Sequence, residues 1–185
     1  YSYAGNAWTM YDKNGTRYLF GATSQAQQAA TTSPSLIYKW MLEEIRDTNG
    51  NFVRFTYTQD YNQIYPSTII YTGTGVTDGP FEISFTTASR PDPVISYKPG
   101  FRTITNSRIS RITAKVSGTM VRQYDLSYTT GHNGMRSMLS SVQLTGRDDA
   151  AQDKTLPALT FAYASSSTQY VRGASFFDFP VFGPA

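Results

Sequence analysis

Phe81-Glu82-Ile83-Ser84-Phe85-Thr86 alternates apolar and polar residues without a fault, and this period of two sets the fold class. Successive side chains of a strand point to opposite faces, so Phe81, Ile83 and Phe85 share one face and the polar residues the other. Asn51 to Thr58 repeats the pattern, with Val53, Phe55 and Tyr57 opposed to Arg54 and Thr56. Noisier alternation runs through 120–128, 138–145 and 156–163. Turn residues divide these stretches. Asn14-Gly15 separates Trp8–Asp12 from Thr16–Phe20, and Asp47-Thr48-Asn49-Gly50 separates Trp40–Arg46 from Phe52–Tyr57. Asn-Gly signals a type I′ hairpin, whose two central residues both need positive φ. Gly73, Gly75, Gly79 and Pro80 break the chain again, as do Gly131, Asn133 and Gly134. The expected fold is all-β: antiparallel hairpins forming one twisted, open-ended sheet or a sandwich, in a single β-rich module over 1–185.

One stretch admits two readings. Leu36–Arg46 could form an amphipathic helix with Ile37, Trp40, Met41 and Ile45 on one stripe. Its Asn-Gly connection to 51–58 favours a strand. Residues 22–35 and 165–169 read as small-polar loops.

Composition bounds the chemistry. The 185 residues suffice to bury a sizeable core, roughly 70% of the unfolded surface for a compact chain of this length. With no cysteine, disulfides, thiolate metal sites and a cysteine nucleophile are excluded. Charged residues are only 16% while aromatics reach 15%, a balance suited to strands. No apolar run approaches the ~18 residues of a membrane-spanning helix, and no leader-like segment precedes the first strand. Residues 1–92 carry a net charge of −2 and residues 93–185 one of +5. From Lys98 to Arg122 there are six basic residues and no acid. Arg111, Thr113, Lys115 and Ser117 alternate with Ile112, Ala114 and Val116, which reads as a solvated strand face or a contact for an acidic segment. A nucleic-acid stripe is not the expectation.

No catalytic constellation stands out. His132, the only histidine, lies in Gly-His-Asn-Gly turn sequence and reads as a surface residue. No Gly-x-Ser-x-Gly elbow, HExxH pair or phosphate-loop Gly-Lys-Ser/Thr is present. Asp47, Asn49 and Asn51 have the opening spacing of a calcium loop, but Thr58 stands where the bidentate Glu belongs. A glycosidase needs two facing carboxylates. Glu43 and Glu44, as neighbours on a strand, should point to opposite faces, and nothing selects a partner for Glu82. No cofactor is expected. Exposed Tyr and Trp beside polar residues keep a glycan-binding module open.

Trp8…Asp12-Lys13-Asn14-Gly15-Thr16-Arg17-Tyr18-Leu19-Phe20-Gly21 resembles the opening hairpin of SpvB-type virulence proteins and of the B component of insecticidal Tc toxins, within the RHS/YD-repeat superfamily. Trp40…Ile45-Arg46-Asp47-Thr48-Asn49-Gly50-Asn51-Phe52-Val53-Arg54-Phe55-Thr56-Tyr57 is similar to the recurrent unit of those proteins, and Ile70-Tyr71-Thr72-Gly73 comes next in the same order. The most specific piece is Arg90-Pro91-Asp92-Pro93…Tyr97-Lys98-Pro99-Gly100-Phe101…Arg108…Arg111-Ile112. Tyr124–Tyr128 and Leu156–Tyr163 continue the likeness, which covers roughly 8–163.

The resemblance implies an RHS-shell-like, non-catalytic scaffold module of a secreted or injected bacterial toxin-like protein. In Tc toxins the B component and part of its C partner enclose a toxic domain in a hollow β shell. The implied partners are other segments of one long polypeptide or toxin-complex subunits, and Phe176–Pro180 falls where family members run on, so a fragment is expected. Arg90, Asp92, Tyr97, Phe101, Arg108 and Arg111 are the candidate interaction residues. The alternatives are a glycan-binding adhesin-like module and a hydrolase using Asp or Glu.

Overall fold

The computed structural model describes residues 1–131 and 136–164. His132 and the 165–169 and 176–180 stretches lie outside the described residues.

Among the described residues fourteen strands succeed one another: β1 Ser2–Ala4, β2 Ala7–Tyr11, β3 Arg17–Phe20, β4 Gln27–Ala30, β5 Ser33–Trp40, β6 Leu42–Arg46, β7 Asn51–Asp60, β8 Gln63–Thr74, β9 Phe81–Ser96, β10 Thr103–Val116, β11 Thr119–Thr130, β12 Ser137–Arg147, β13 Asp153–Thr155 and β14 Leu159–Thr160. Twelve join one antiparallel sheet in the order β1-β2-β3-β6-β7-β8-β9-β10-β11-β12-β13, with β14 also on β12. Neighbours in sequence are mostly neighbours in space, so the sheet is largely a run of hairpins and does not close into a barrel.

Leu36–Arg46 is strand, interrupted only at Met41. The 22–35 stretch is not a loop throughout: a 3-10 turn at Ser24–Ala26 leads into β4, which pairs with β5 as a separate hairpin. Its small side chains are what let it lie close against the main sheet, where Ala26 and Ala30 are buried. Gln28 donates to the Asn62 carbonyl and to Gln63, and Gln59 donates to the carbonyls of Ser24, Gln25 and Gln27. These amide side chains satisfy backbone groups that a polar loop would have left to water. At the far end the 156–163 alternation yields only the two-residue β14.

The type I′ positions also differ from expectation. Both central residues have positive φ at Gly5-Asn6, Tyr61-Asn62 and Ser117-Gly118, the two-residue connections of β1–β2, β7–β8 and β10–β11. At Asn14-Gly15 and Asn49-Gly50 only the glycine does. There the preceding Asp shapes a longer loop. Asp12 Oδ1 accepts the Asn14 and Thr16 amides, and Asp47 Oδ1 accepts those of Asn49 and Asn51. Asp148 repeats the device with the Ala150 and Gln152 amides, and Ala151 occupies the left-handed position at φ 57°. The side chain competes for the amides and so selects the wider turn. In the second of these loops the Asp47 carboxylate is thereby occupied, and its acidity is raised chiefly by the Asn51 side-chain hydrogen bond.

The expected sizeable core is absent among the described residues. The buried apolar side chains are Ala26, Ala30, Phe52 and Tyr65. Most strand residues are half-buried, because the sheet is largely a single layer with little packed against its faces. Phe52 is the main anchor, worth about 1.5–3 kcal/mol by burial. Its ring lies against Gly73 on β8, and the guanidiniums of Arg46 and Arg54 stand 4.6 and 4.8 Å from its centroid.

Candidate functional site

The Arg90-Pro91-Asp92-Pro93 stretch is where the sheet turns on itself. Thr105 pairs with Val94 and Ser107 with Ser89, so residues 90–93 of β9 oppose Asn106 alone on β10. Pro91 and Pro93 have no N–H to give a ladder, which makes a large bulge the natural outcome. Asn106 has no ladder partner there, and its amide and that of Ser107 both donate to the Tyr65 hydroxyl, at 3.0 and 3.2 Å. That is why Tyr65 is buried with its oxygen inward.

The bulge aims Asp92 across the sheet. Arg90 grips it through Nε and Nη2 at 3.1 and 2.8 Å, and the Ser137 amide at 2.7 Å and Ser137 hydroxyl donate to it as well. Ser137 begins β12, yet β10 and β11 lie between β9 and β12 in the ladder. The contact therefore pins the sheet in a curl. Arg90, then the Ser137 hydroxyl and amide, hold the Asp92 carboxyl far below the usual carboxylate range. Arg108 stacks on the Tyr128 ring at 4.3 Å, and the Tyr128 hydroxyl donates to the Ile109 carbonyl.

The candidate residues thus divide. Arg90 and Asp92 form one clamp. Arg111 pairs with Asp125 on β11 at 2.6 Å, while Tyr97 projects into solvent and Phe101 is half-buried, both in the β9–β10 connection. The basic stripe is likewise not one solvated face. Lys115 meets Glu82 at 2.9 Å, and Thr113, between Arg111 and Lys115 on that face, is buried.

A second cluster escaped the sequence reading. Leu19 pairs with Glu44 and Phe20 with Leu42, leaving Glu43 as an extra residue on β6. This bulge breaks strict alternation, so Glu43 and Glu44 do not separate to opposite faces as expected. Both are buried, and both line a cavity of about 390 Å³ with Leu19, Thr23, Arg54, Phe55 and Tyr57. Glu44 accepts from Arg46 at 2.8 and 3.0 Å and from Arg17, and Arg54 stands 3.9 Å away. The Arg46 hydrogen bonds, against the opposing effect of burial, lower its pKa. Glu43 accepts the Thr23 amide at 2.8 Å and the Thr23 hydroxyl at 2.5 Å. Burial, and then the Glu43 charge, raise the pKa of Tyr57, whose hydroxyl donates to the Leu42 carbonyl. Both carboxylates serve as acceptors within the fold, an arrangement that holds a loop and a strand together. The only advance signal for this cluster was the pair of consecutive glutamates between Leu42 and Ile45, which breaks the alternation.

A third feature is aromatic. Tyr3, Trp8 and Trp40 gather at the β1–β2 end, with centroids 4.7 to 6.1 Å apart, and the Trp40 indole donates to the Asn6 carbonyl at 2.7 Å. Tyr1, Trp8, Met10, Phe20 and Trp40 line an open cavity of about 320 Å³.

A curled open antiparallel sheet of successive hairpins, clamped at a proline-flanked bulge, defines a β module with few buried apolar side chains among the described residues. Residues 2–71 match the family described as SpvB, Salmonella virulence plasmid 65kDa B protein. The chain is similar in fold to the Photorhabdus luminescens Tc holotoxin pore, with a TM-score of 0.72 and 19% identity over 85% of this chain and 10% of that one. It is similar to the TcdB2-TccC3-Cdc42 structure, with a TM-score of 0.70 and 18% identity over 85% and 10% of the two chains. Its likeness to the N-terminal domain of effector protein SpvB from Salmonella typhimurium strain LT2 has a TM-score of 0.54 at 17% identity, over 85% and 61%. The chain therefore spans about a tenth of the Tc chains it matches. No curated protein matches it. The chain resembles the SpvB-type and Tc-toxin B proteins, as its motifs implied.

Proposed function

We propose that this chain is a scaffold module of a longer, toxin-like bacterial polypeptide, contributing wall shape instead of turnover. The observation that carries the reading is the thin core: a twelve-stranded sheet whose buried apolar side chains, among the described residues, are two alanines, Phe52 and Tyr65. Such a sheet gains stability when further segments cover its faces and edges, since an unpaired edge invites another strand. The likeness to Tc-toxin and SpvB structures supports the same reading, with secretion or injection, RHS-type neighbours and toxin-complex subunits as its expected setting. Glu82 is paired with Lys115 and Glu44 with arginines, which favours structural over catalytic carboxylates.

The test is hydrogen exchange on the chain alone and within its longer polypeptide. Amides of β1 and β13, the ends of the sheet order, should gain at least tenfold protection in the longer protein. Equal exchange in both settings, or turnover of a glycan substrate by the chain, would overturn the proposal.

A second reading, glycan binding, is favoured by the Tyr1, Trp8 and Trp40 cavity, since flat aromatic faces suit sugar rings. A glycan array probed with the chain and with Trp8→Ala should show hits that the substitution removes; an array at background ends this reading.

A further inference from the structure

The bulge that buries Glu43 leaves it in an unusual state. Its residue is 9% exposed, its carboxylate receives hydrogen bonds only from the amide and hydroxyl of Thr23, and no cation among the described residues lies within salt-bridge distance. An ionised carboxylate can accept about four hydrogen bonds. Two neutral donors, one on each oxygen, leave acceptor capacity on both. Burying such a charge without a counter-charge is costly. The neighbouring guanidiniums are committed elsewhere: Arg17 and Arg46 to Glu44, and Arg54 to Asp78 at 2.5 Å. The cavity in front of Glu43, about 390 Å³, falls within the roughly 300–1,000 Å³ range of small-molecule pockets. Phe55 and Tyr57 contribute aromatic walls, which attract cations through the ring quadrupole.

We infer that this cavity is a binding site for the cationic side chain of a lysine or arginine on another polypeptide segment, with Glu43 as counter-ion and Phe55 and Tyr57 as walls. The inference does not use the scaffold reading and would hold for any partner presenting such a side chain. Charge complementarity selects the occupant: a neutral or anionic group would leave the carboxylate unpaired or repelled.

The experiment is an NMR titration of the whole chain at neutral pH with butylammonium, with butanol as the neutral control of equal length, and with acetyl-Gly-Lys-Gly-amide. Saturable shifts at the Thr23 and Tyr57 amides are expected for butylammonium and for the peptide, with no saturation for butanol. Glu43→Gln should weaken binding at least tenfold, and Phe55→Leu about threefold. Butanol binding as well as butylammonium, or Glu43→Gln binding unchanged, overturns the site. Butylammonium binding without the peptide overturns the polypeptide side chain as occupant. If Glu43→Gln changes the circular dichroism spectrum, the wild-type comparison of charged and neutral probes still decides.

Discussion

Gly73→Ala tests whether the Phe52 anchor holds β7 to β8. A Cβ at position 73 would meet three carbons of the Phe52 ring, all at 2.6 Å or less, where carbon atoms prefer roughly 3.5–4.0 Å. Phe52 is 2% exposed, with Arg46 and Arg54 beside its ring, so it can yield only by moving about 1 Å out of its packed position. Overpacking costs about 1–3 kcal/mol, and a displaced ring also forfeits cation contacts of about 0.5–1 kcal/mol each. The expected loss is about 2–3 kcal/mol, or a Tm lower by about 4–12 °C for a chain of this size. Urea unfolding followed by circular dichroism measures it. Gly146→Ala is the control: its φ is ordinary and the new Cβ lies 3.9 Å from the Val121 carbonyl oxygen, so its stability should stay within about 0.5 kcal/mol of wild type or rise slightly. Adding Phe52→Leu to Gly73→Ala should recover at least about 1 kcal/mol in a double-mutant cycle, because the two sites share one space. A Gly73→Ala protein as stable as Gly146→Ala would refute the packing account of this sheet.

The clamp, the carboxylate cluster and the turns each give a further expected outcome. Asp92 has a depressed pKa in the folded state, so its contribution is present above the ordinary carboxylate value of about 3.9 and is lost as pH falls through its folded value. Asp92→Asn should therefore lower stability at neutral pH, flatten its decline below about pH 4, and speed exchange of the Ser137 amide. Glu44→Gln removes the negative charge that faces Arg17 and Arg46 and replaces one of its two acceptor oxygens with an NH2 donor; those arginines are partly exposed, so screening holds the loss to about 1–2 kcal/mol, read by urea unfolding. Ala151→Gly should stabilise by up to about 1 kcal/mol, because alanine at positive φ is strained, whereas Gly50→Ala should cost a similar amount; thermal melts of the two give opposite signs.

Local pattern was enough for the class of fold and most of its strands. Alternation is a property of a short window, so Phe81–Thr86 and Asn51–Thr58 announce half-buried strands wherever they end up. The loops around Asn14-Gly15 and Asn49-Gly50 were equally legible as reversals, though their width was set by Asp12 and Asp47 capturing amides. Which residues meet was settled only in the folded arrangement. A bulge depends on the length of the opposite strand, and one extra residue reverses the facing of every later residue in its strand. That is why Glu43 and Glu44 share a cavity against their period-two expectation, and why Asp92, gripped by Arg90, reaches Ser137 while Tyr97 and Arg111 go elsewhere. Residues 22–35 dock as part of a hairpin where Gln28 reaches the Asn62 carbonyl in the β7–β8 turn and Gln59 of β7 reaches the carbonyls of Ser24, Gln25 and Gln27, contacts that no local window contains. The thin core has the same origin: residue composition sets how much apolar surface exists, but whether a second layer covers it depends on where the strands are sent.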